Sequence, residues 1–223
     1  MPLEDFNPTT DSTGSTDSTI KIMNYKSAPL DYKIIYDIVE PESRVLDLGC
    51  GSGALMQLLV EGKHAKAQGI EIDEEQIYQC VEKGLSVFHG DIDSGLSEYP
   101  DKCFDYVILN KSMQQARKAS FIISEALRVG KKVIVGFPNF VHLTARIQMA
   151  LKGRTPITPS LPYRWYNTPN LHFLSINDFK DFCKEEGIHI DSSYYLGKRM
   201  AILFFPNLFA FNAVFVISRS RKN

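Results

Sequence analysis

The chain has 223 residues, 44% apolar and 23% charged, with a net charge of −1, enough for one good-sized domain and few additions. The near-neutral charge removes the bulk electrostatic case for nucleic acid, and no apolar run approaches the roughly 20 residues that cross a bilayer. The four cysteines (Cys50, Cys80, Cys103 and Cys183) form no close pair of the metal or redox kind, so reduced thiols in a cytoplasmic setting, with no metal, are the expectation.

Residues 1–22 are rich in Ser, Thr and Asp and carry no cation before Lys21. Such a segment buries too little apolar surface to offset its ordering entropy. It is expected to be a disordered tail, or a start placed too early with Met23 as the alternative initiator. Its acidic, polar character does not fit a secretory signal. The folded domain is then 23–223. Leu30, Ile34, Ile35 and Ile38 have helical spacing, and Pro41 closes that helix before the first strand.

The stretch Val45-Leu46-Asp47-Leu48-Gly49-Cys50-Gly51-Ser52-Gly53 is the most informative in the chain. It reads as a buried strand, a tight glycine loop and, from Ala54, a helix start running to about residue 61. Glycines at alternate positions leave a surface poor in side chains, where backbone approaches a ligand closely. The amides at the helix start favour electron-rich groups. Two ligand classes use this device. Gly49, Gly51 and Ala54 fit the dinucleotide pattern G-x-G-x-x-G/A. Asp47, Gly49, Gly51 and Gly53 fit D-x-G-x-G-x-G in full, the pattern common at S-adenosylmethionine (SAM) sites. Asp47 favours SAM, because its carboxylate can bridge the loop amides and the ligand's amino group, whereas beside a pyrophosphate it would repel. Cys50 lies inside the loop and serves there chiefly by being small.

A second strand is expected over 67–72, ending at Glu71 and Ile72. Glu71 stands 22 residues after Gly49, the place of an acid that accepts from both ribose hydroxyls. Asp73 reads as the N-cap of a helix over 74–83. A third strand over 86–91 ends at Asp91, which would face an adenine amino group, with the backbone of Ile92 against the ring. An apolar strand over 104–109 leads into Asn110-Lys111-Ser112-Met113. A helix at about 118–128 and a buried strand over 131–137 follow. The alternation implies a mostly parallel sheet with helices on both faces and a ligand beyond the strand C-termini.

After Phe137 the alternation stops, and an insertion over about 138–172 is expected. Phe140, Leu143, Ile147 and Leu151 would share one helical face. Residues 155–170 hold four prolines, which forbid regular structure, together with aromatics that argue for order. A helix at 176–186 and strands near 188–195 and 212–218 end the chain as a hairpin. The connection Leu203-Phe204-Phe205-Pro206-Asn207-Leu208-Phe209 is apolar enough to be either core or a partner surface.

Together, Arg44–Gly53, Gly69–Asp73, His89–Asp93, Phe104–Leu109, Phe137–Phe140, Leu161–Asn170 and His172 resemble the MetW family of methionine biosynthesis. The glycine loop is common to all class I methyltransferases. Pro162-Tyr163-Arg164-Trp165-Tyr166-Asn167-Thr168-Pro169-Asn170 is far more specific. The resemblance implies a Rossmann-like class I methyltransferase fold, with a mostly parallel seven-stranded sheet and a C-terminal antiparallel hairpin. It implies SAM as cofactor and a link to homoserine O-acyltransferase as partner, with neither nucleic acid nor membrane. The cofactor set is then Asp47, Gly49, Cys50, Gly51, Gly53, Glu71, Ile72, Asp91, Ile92 and Asn110.

Two functions follow from this reading. One is a SAM-binding accessory or regulatory subunit of the acyltransferase. The other is an active methyltransferase on a small, carboxylated molecule. Neither the Asn/Asp-Pro-Pro-aromatic motif nor a Pro-Cys nucleophile is present in the sequence. A transferase would draw its base from His142, His172 or Tyr163. Arg164, Trp165 and Tyr166 would form a lid over the acceptor, or a surface for the partner. Lys111 beside a cationic sulfonium would be unfavourable unless it points away.

Overall fold

The computed structural model describes residues 25–219. The expected tail and Met23 lie outside the described residues. The elements in chain order are α1 (Leu30–Ile38), β1 (Arg44–Leu48), α2 (Ala54–Lys63), β2 (Lys66–Glu71), α3 (Glu74–Glu82), β3 (Ser86–His89) and β4 (Phe104–Asn110). They continue with α4 (Ala119–Val129), β5 (Gly130–Pro138), α5 (Leu143–Lys152), α6 (Ile176–Glu185), β6 (Ile188–Leu196), α7 (Pro206–Phe209) and β7 (Asn212–Arg219). The strands form one seven-stranded sheet in the order β3-β2-β1-β4-β5-β7-β6. Pairing is parallel from β3 to β5, and β7 runs antiparallel to both β5 and β6.

The apolar run in β4 is continuous because both of its faces are covered. Val107 and Leu109 point to one side, where they meet Ile123 and Leu127 of α4 and Phe179 of α6 in one cluster. Tyr106 and Ile108 point to the other, where they join Ile35 of α1 and Leu55 and Leu59 of α2. Phe137 and Phe215 stack face to face with ring centres 5.8 Å apart, and Phe179 packs against both. Truncating such a side chain to Ala typically costs about 3–5 kcal/mol. α6 starts in a reciprocal cap: the Ser175 hydroxyl accepts from Asp178 N and the Asp178 carboxylate accepts from Ser175 N.

Three expectations need correction. β3 ends at His89 rather than at Asp91, because Gly90 N donates to Glu71 O and Asp91 opens a short turn. The helix of the insertion starts at Leu143 and not at Phe140, with His142 Nδ1 accepting from Thr144 N as its cap. Its buried face is centred on Ala145, whereas Ile147 and Leu151 are exposed. Between His89 and the insertion the expected order of strands and helices holds, with ends shifted by a residue or two.

The apolar connection before β7 is an exposed surface. Leu203, Phe204 and Phe205 are 85%, 79% and 74% exposed.

Candidate functional site

β1 delivers the glycine loop to the C-terminal edge of the sheet. Gly49 N and Cys50 N both donate to Ile70 O, which ties the loop to β2. From the other side, the Lys83 ammonium donates to Ser52 O. Gly51 and Gly53 have φ of +55° and +72°, a region where side chains are strained. The two differ in what surrounds them. A Cβ on Gly53 would sit 2.5 Å from Leu85 Cδ1 and 2.8 Å from Cys80 Sγ, so this glycine lets the loop lie against α3. A Cβ on Gly51 would meet only Gln76 Oε1, at 3.8 Å, and Gly51 lines an open cleft.

The loop is held by Glu71 rather than by Asp47. Glu71 Oε2 accepts from Gly51 N at 2.7 Å, and Oε1 accepts from Ile72 N and Asp73 N at 2.8 and 3.1 Å. Asp47 is 3% exposed and lies below the loop. Burial, reinforced by the nearby Glu71 charge, pushes its carboxyl up to about 7. Burial and the Asp47 and Asp31 charges likewise push Tyr32 up to about 12. Burial raises the Cys50 thiol, so this loop cysteine is a poor nucleophile.

The cleft has a volume of about 390 Å³. Of the residues expected at a cofactor, Gly49, Gly51, Glu71, Ile72, Asp91 and Ile92 line it. Asp91 Oδ1 caps the turn after β3 by accepting from Asp93 N, which leaves Oδ2 for a ligand. Asp47, Cys50 and Gly53 support the loop from beneath and do not form the wall. Asn110 turns away from the cleft and donates through Nδ2 to Asp31 Oδ2 at 3.1 Å. Lys111 does line the cleft, but its ammonium pairs with the buried Asp31 at 2.7 Å. Its charge is thereby partly offset, by pairing rather than by the side chain's leaving the cleft.

Apart from Lys111, the opposite wall was not expected. It is the β4–α4 connection, with Lys111, Ser112, Gln115, Ala116 and Arg117. Its signal was a polar break, bearing two cations, directly after a buried strand at the sheet's ligand-binding edge. Asp93 fastens this wall to the β3 side by accepting from Arg117 N and Lys118 N, each at 2.9 Å. Burial opposes ionisation of Asp93, but those two N–H groups hold its carboxyl below its ordinary value. Asn110 Oδ1, Ser112 Oγ and Gln114 Oε1 are buried without a hydrogen-bond partner among the described residues. Three such atoms within five residues are costly unless a bound molecule supplies partners.

The insertion hangs on the same connection. Gln114 O accepts from Leu171 N at 2.8 Å and from His172 N at 3.0 Å. Beyond this anchor lies a hollow of about 200 Å³, lined by Phe140, Tyr163, Arg164, Trp165, Asn170 and Phe173. His172 lines a different hollow, of about 410 Å³, with Met113, Arg117, Ile123 and Phe182. His172 and Tyr163 therefore do not converge, and neither lines the cleft beside the glycine loop. Trp165 and Tyr166 are 75% and 62% exposed and meet edge to face.

Comparison with known proteins gives these features a family. Residues 29–217 match the family described as "Methionine biosynthesis protein MetW". Over 206 residues the chain is 32% identical to the "Bifunctional methionine biosynthesis protein MetXA/MetW" of Rhodopirellula baltica, covering 86% of this chain and 33% of that protein. The chain thus spans about a third of that relative's length. Among solved structures, a SAM-dependent methyltransferase from Archaeoglobus fulgidus superposes with a TM-score of 0.60 at 17% identity, over 85% of this chain and 91% of that one. The [4+2]-cyclase SpnF superposes with a TM-score of 0.59 at 15% identity, over 84% and 80%. Proteins named for different reactions share this fold, so the fold alone does not fix the chemistry. Family match, identity and fold agree: the chain belongs to the MetW family of methionine biosynthesis proteins and is built on the class I methyltransferase fold.

Proposed function

We propose that the chain binds SAM in the cleft between the glycine loop and the β4–α4 connection, and acts as an accessory or regulatory subunit of homoserine O-acyltransferase. The observation that carries this reading is the double use of one short turn. Ser112 and Gln115 line the cleft, while the carbonyl of Gln114 between them carries the insertion through Leu171 and His172. A ligand that orders Ser112–Gln115 acts on the segment from which Trp165 and Tyr166 project.

The cleft offers partners for the nucleoside part of SAM. Glu71 Oε2 has capacity for a ribose hydroxyl besides Gly51 N. Asp91 Oδ2 and the Ile92 backbone suit an adenine edge. The unpartnered Ser112 Oγ is a further contact for a polar ligand.

The partner is supported by the relative from Rhodopirellula, in which a MetW part is joined to a part named MetXA. Fusion holds two parts at high effective concentration, an arrangement that favours proteins working together. The separation of His172 from Tyr163 weighs against an acceptor site built from both, and so favours binding over methyl transfer.

The test is calorimetric titration with SAM, with and without the organism's homoserine O-acyltransferase. Binding is expected in both cases, with an affinity that shifts when the acyltransferase is present. By linkage SAM must then change the affinity of the complex by the same factor. Binding of SAM with no effect of the partner would return the methyltransferase reading and call for an acceptor screen.

A further inference from the structure

We infer that the insertion and the connection before β7 form one cationic, aromatic face that docks an acidic surface of the acyltransferase. This rests on the partnership proposed above and adds where, and by what chemistry, the two proteins meet.

Charge is the first argument. Between Glu125 and Asp178 the sequence contains no acid, yet the insertion carries Arg146, Lys152, Arg154 and Arg164. After Asp191 there is again no acid, and Lys198 and Arg199 open the connection before β7. On a chain of net charge −1, this concentrates positive charge in two segments. An acidic counterpart is the complement such a surface selects.

Continuity is the second. Asn139 Nδ2 donates to Asn207 O and Ala210 O, and Arg146 Nη2 donates to Asn207 O. Phe140, the next residue in chain, packs on Phe173 with ring centres 4.5 Å apart, and both line the hollow beside Trp165. The two segments therefore meet at residues 139–146.

Apolar exposure is the third. Leu151, Trp165, Leu203, Phe204 and Phe205 are all more than 70% exposed. Trp165 is the chain's one tryptophan. Large aromatics beside arginine are the residue types that anchor protein interfaces, and exposed apolar surface of this extent is unusual on a monomer. The N-terminal ends of the strands are different in kind: Lys131 is paired with Asp105 there, and Lys132 has no exposed aromatic neighbour in its hollow.

The experiment compares full-length wild type with Trp165→Ala, Phe204→Ser, Arg164→Glu and the remote control Lys132→Glu, titrated against the intact acyltransferase. SAM affinity of each variant serves as the folding check. Expected is at least a tenfold loss of acyltransferase affinity for the three face variants, SAM affinity within twofold of wild type, and no change for Lys132→Glu. If wild type binds and the face variants bind equally well, the docking face is wrong while the partnership stands. If wild type does not bind, partnership and docking face fall together. Should Phe204→Ser or Trp165→Ala lose SAM binding through misfolding, Arg164→Glu at an exposed side chain decides by the same tenfold criterion. Self-association, or binding to polyuridylate or phosphatidylglycerol vesicles, that is lost in these variants while acyltransferase binding persists would overturn the inference.

Discussion

Glu71 Oε2 accepts the N–H of Gly51 at 2.7 Å, so the last residue of the second strand grips the loop that follows the first. The same carboxylate serves Ile72 N and Asp73 N, and the side chain is 9% exposed. Hydrogen bonds to a charged group are worth about 1.5–3 kcal/mol each, and buried amides left without a partner are costly. Glu71→Ala is therefore expected to lower stability by about 2–4 kcal/mol and SAM affinity by more than tenfold. Glu71→Gln keeps one acceptor oxygen and is expected to lose less stability than affinity. Urea denaturation beside calorimetry separates the two. Equal stability of Glu71→Ala and wild type would show that the grip on Gly51 does not hold the loop.

Asp47 gives a pH dependence of definite sign. Its folded carboxyl titrates at about 7, against an ordinary value of 3.8. The folded state therefore binds more protons than the unfolded state between those limits, and stability falls as pH rises from about 4 to about 7. The cost at higher pH is on the order of 4 kcal/mol. Asp47→Asn is expected to remove that slope and stabilise the ligand-free protein at pH 7.5. Chemical denaturation from pH 4 to 8 reads it directly. A variant no more stable than wild type at pH 7.5 would mean that burial does not raise the Asp47 carboxyl above its ordinary value.

The sheet was legible because strands covered on both faces read as unbroken apolar runs, as Val107 and Leu109 against Tyr106 and Ile108 illustrate. The near wall of the cleft was legible for a related reason: glycine spacing and strand-end acids occupy fixed places in this topology. The far wall was not. Ser112, Gln115 and Arg117 belong to no strand or long helix, and the hydrogen bonds of Asp93 to Arg117 N and Lys118 N, with that of Lys111 N to Gly136 O, help to hold them opposite Glu71 and Asp91. The insertion helix misled for a different reason. Phe140, Leu143, Ile147 and Leu151 have helical spacing, but residues 140 and 141 form a turn before the helix, with His142 N donating to Asn139 O and Phe140 N to Leu174 O. Ala145 is the residue that packs, and the apolar stripe is left facing outward.

The loop glycines separate folding from binding. Gly51→Ala places a methyl at φ +55° in open space, so the cost is conformational, about 1–2 kcal/mol. Because Gly51 lines the cleft, SAM affinity is expected to fall by tenfold or more. Gly53→Ala adds a clash with Leu85 and Cys80 to the same backbone strain, so loss of stability should exceed that of Gly51→Ala. Thermal unfolding with and without SAM orders the two. The reverse order would place the tight contact at the wrong glycine.

Trp165 allows the link between cleft and insertion to be watched in the isolated chain. It does not line the cleft, and as the chain's one tryptophan its emission is unambiguous. The connection runs from Ser112 and Gln115 in the wall, through Gln114 O, to Leu171 N and His172 N, and on to Asn170 and Phe173 in the Trp165 hollow. Coupling of this sort needs an element with two arrangements that both sites bias. In the proposed reading that role falls to the Ser112–Gln115 turn, whose buried Gln114 Oε1 has no partner among the described residues. SAM is expected to change the intensity or wavelength of Trp165 emission with the same midpoint as its calorimetric binding curve. Gln114→Leu, which removes the unpartnered Oε1 together with the bond from Nε2 to Lys111 O but keeps the backbone carbonyl, is expected to reduce the change while SAM still binds. Emission blind to saturating SAM would disconnect the insertion from the cleft, and the regulatory reading would lose its physical route.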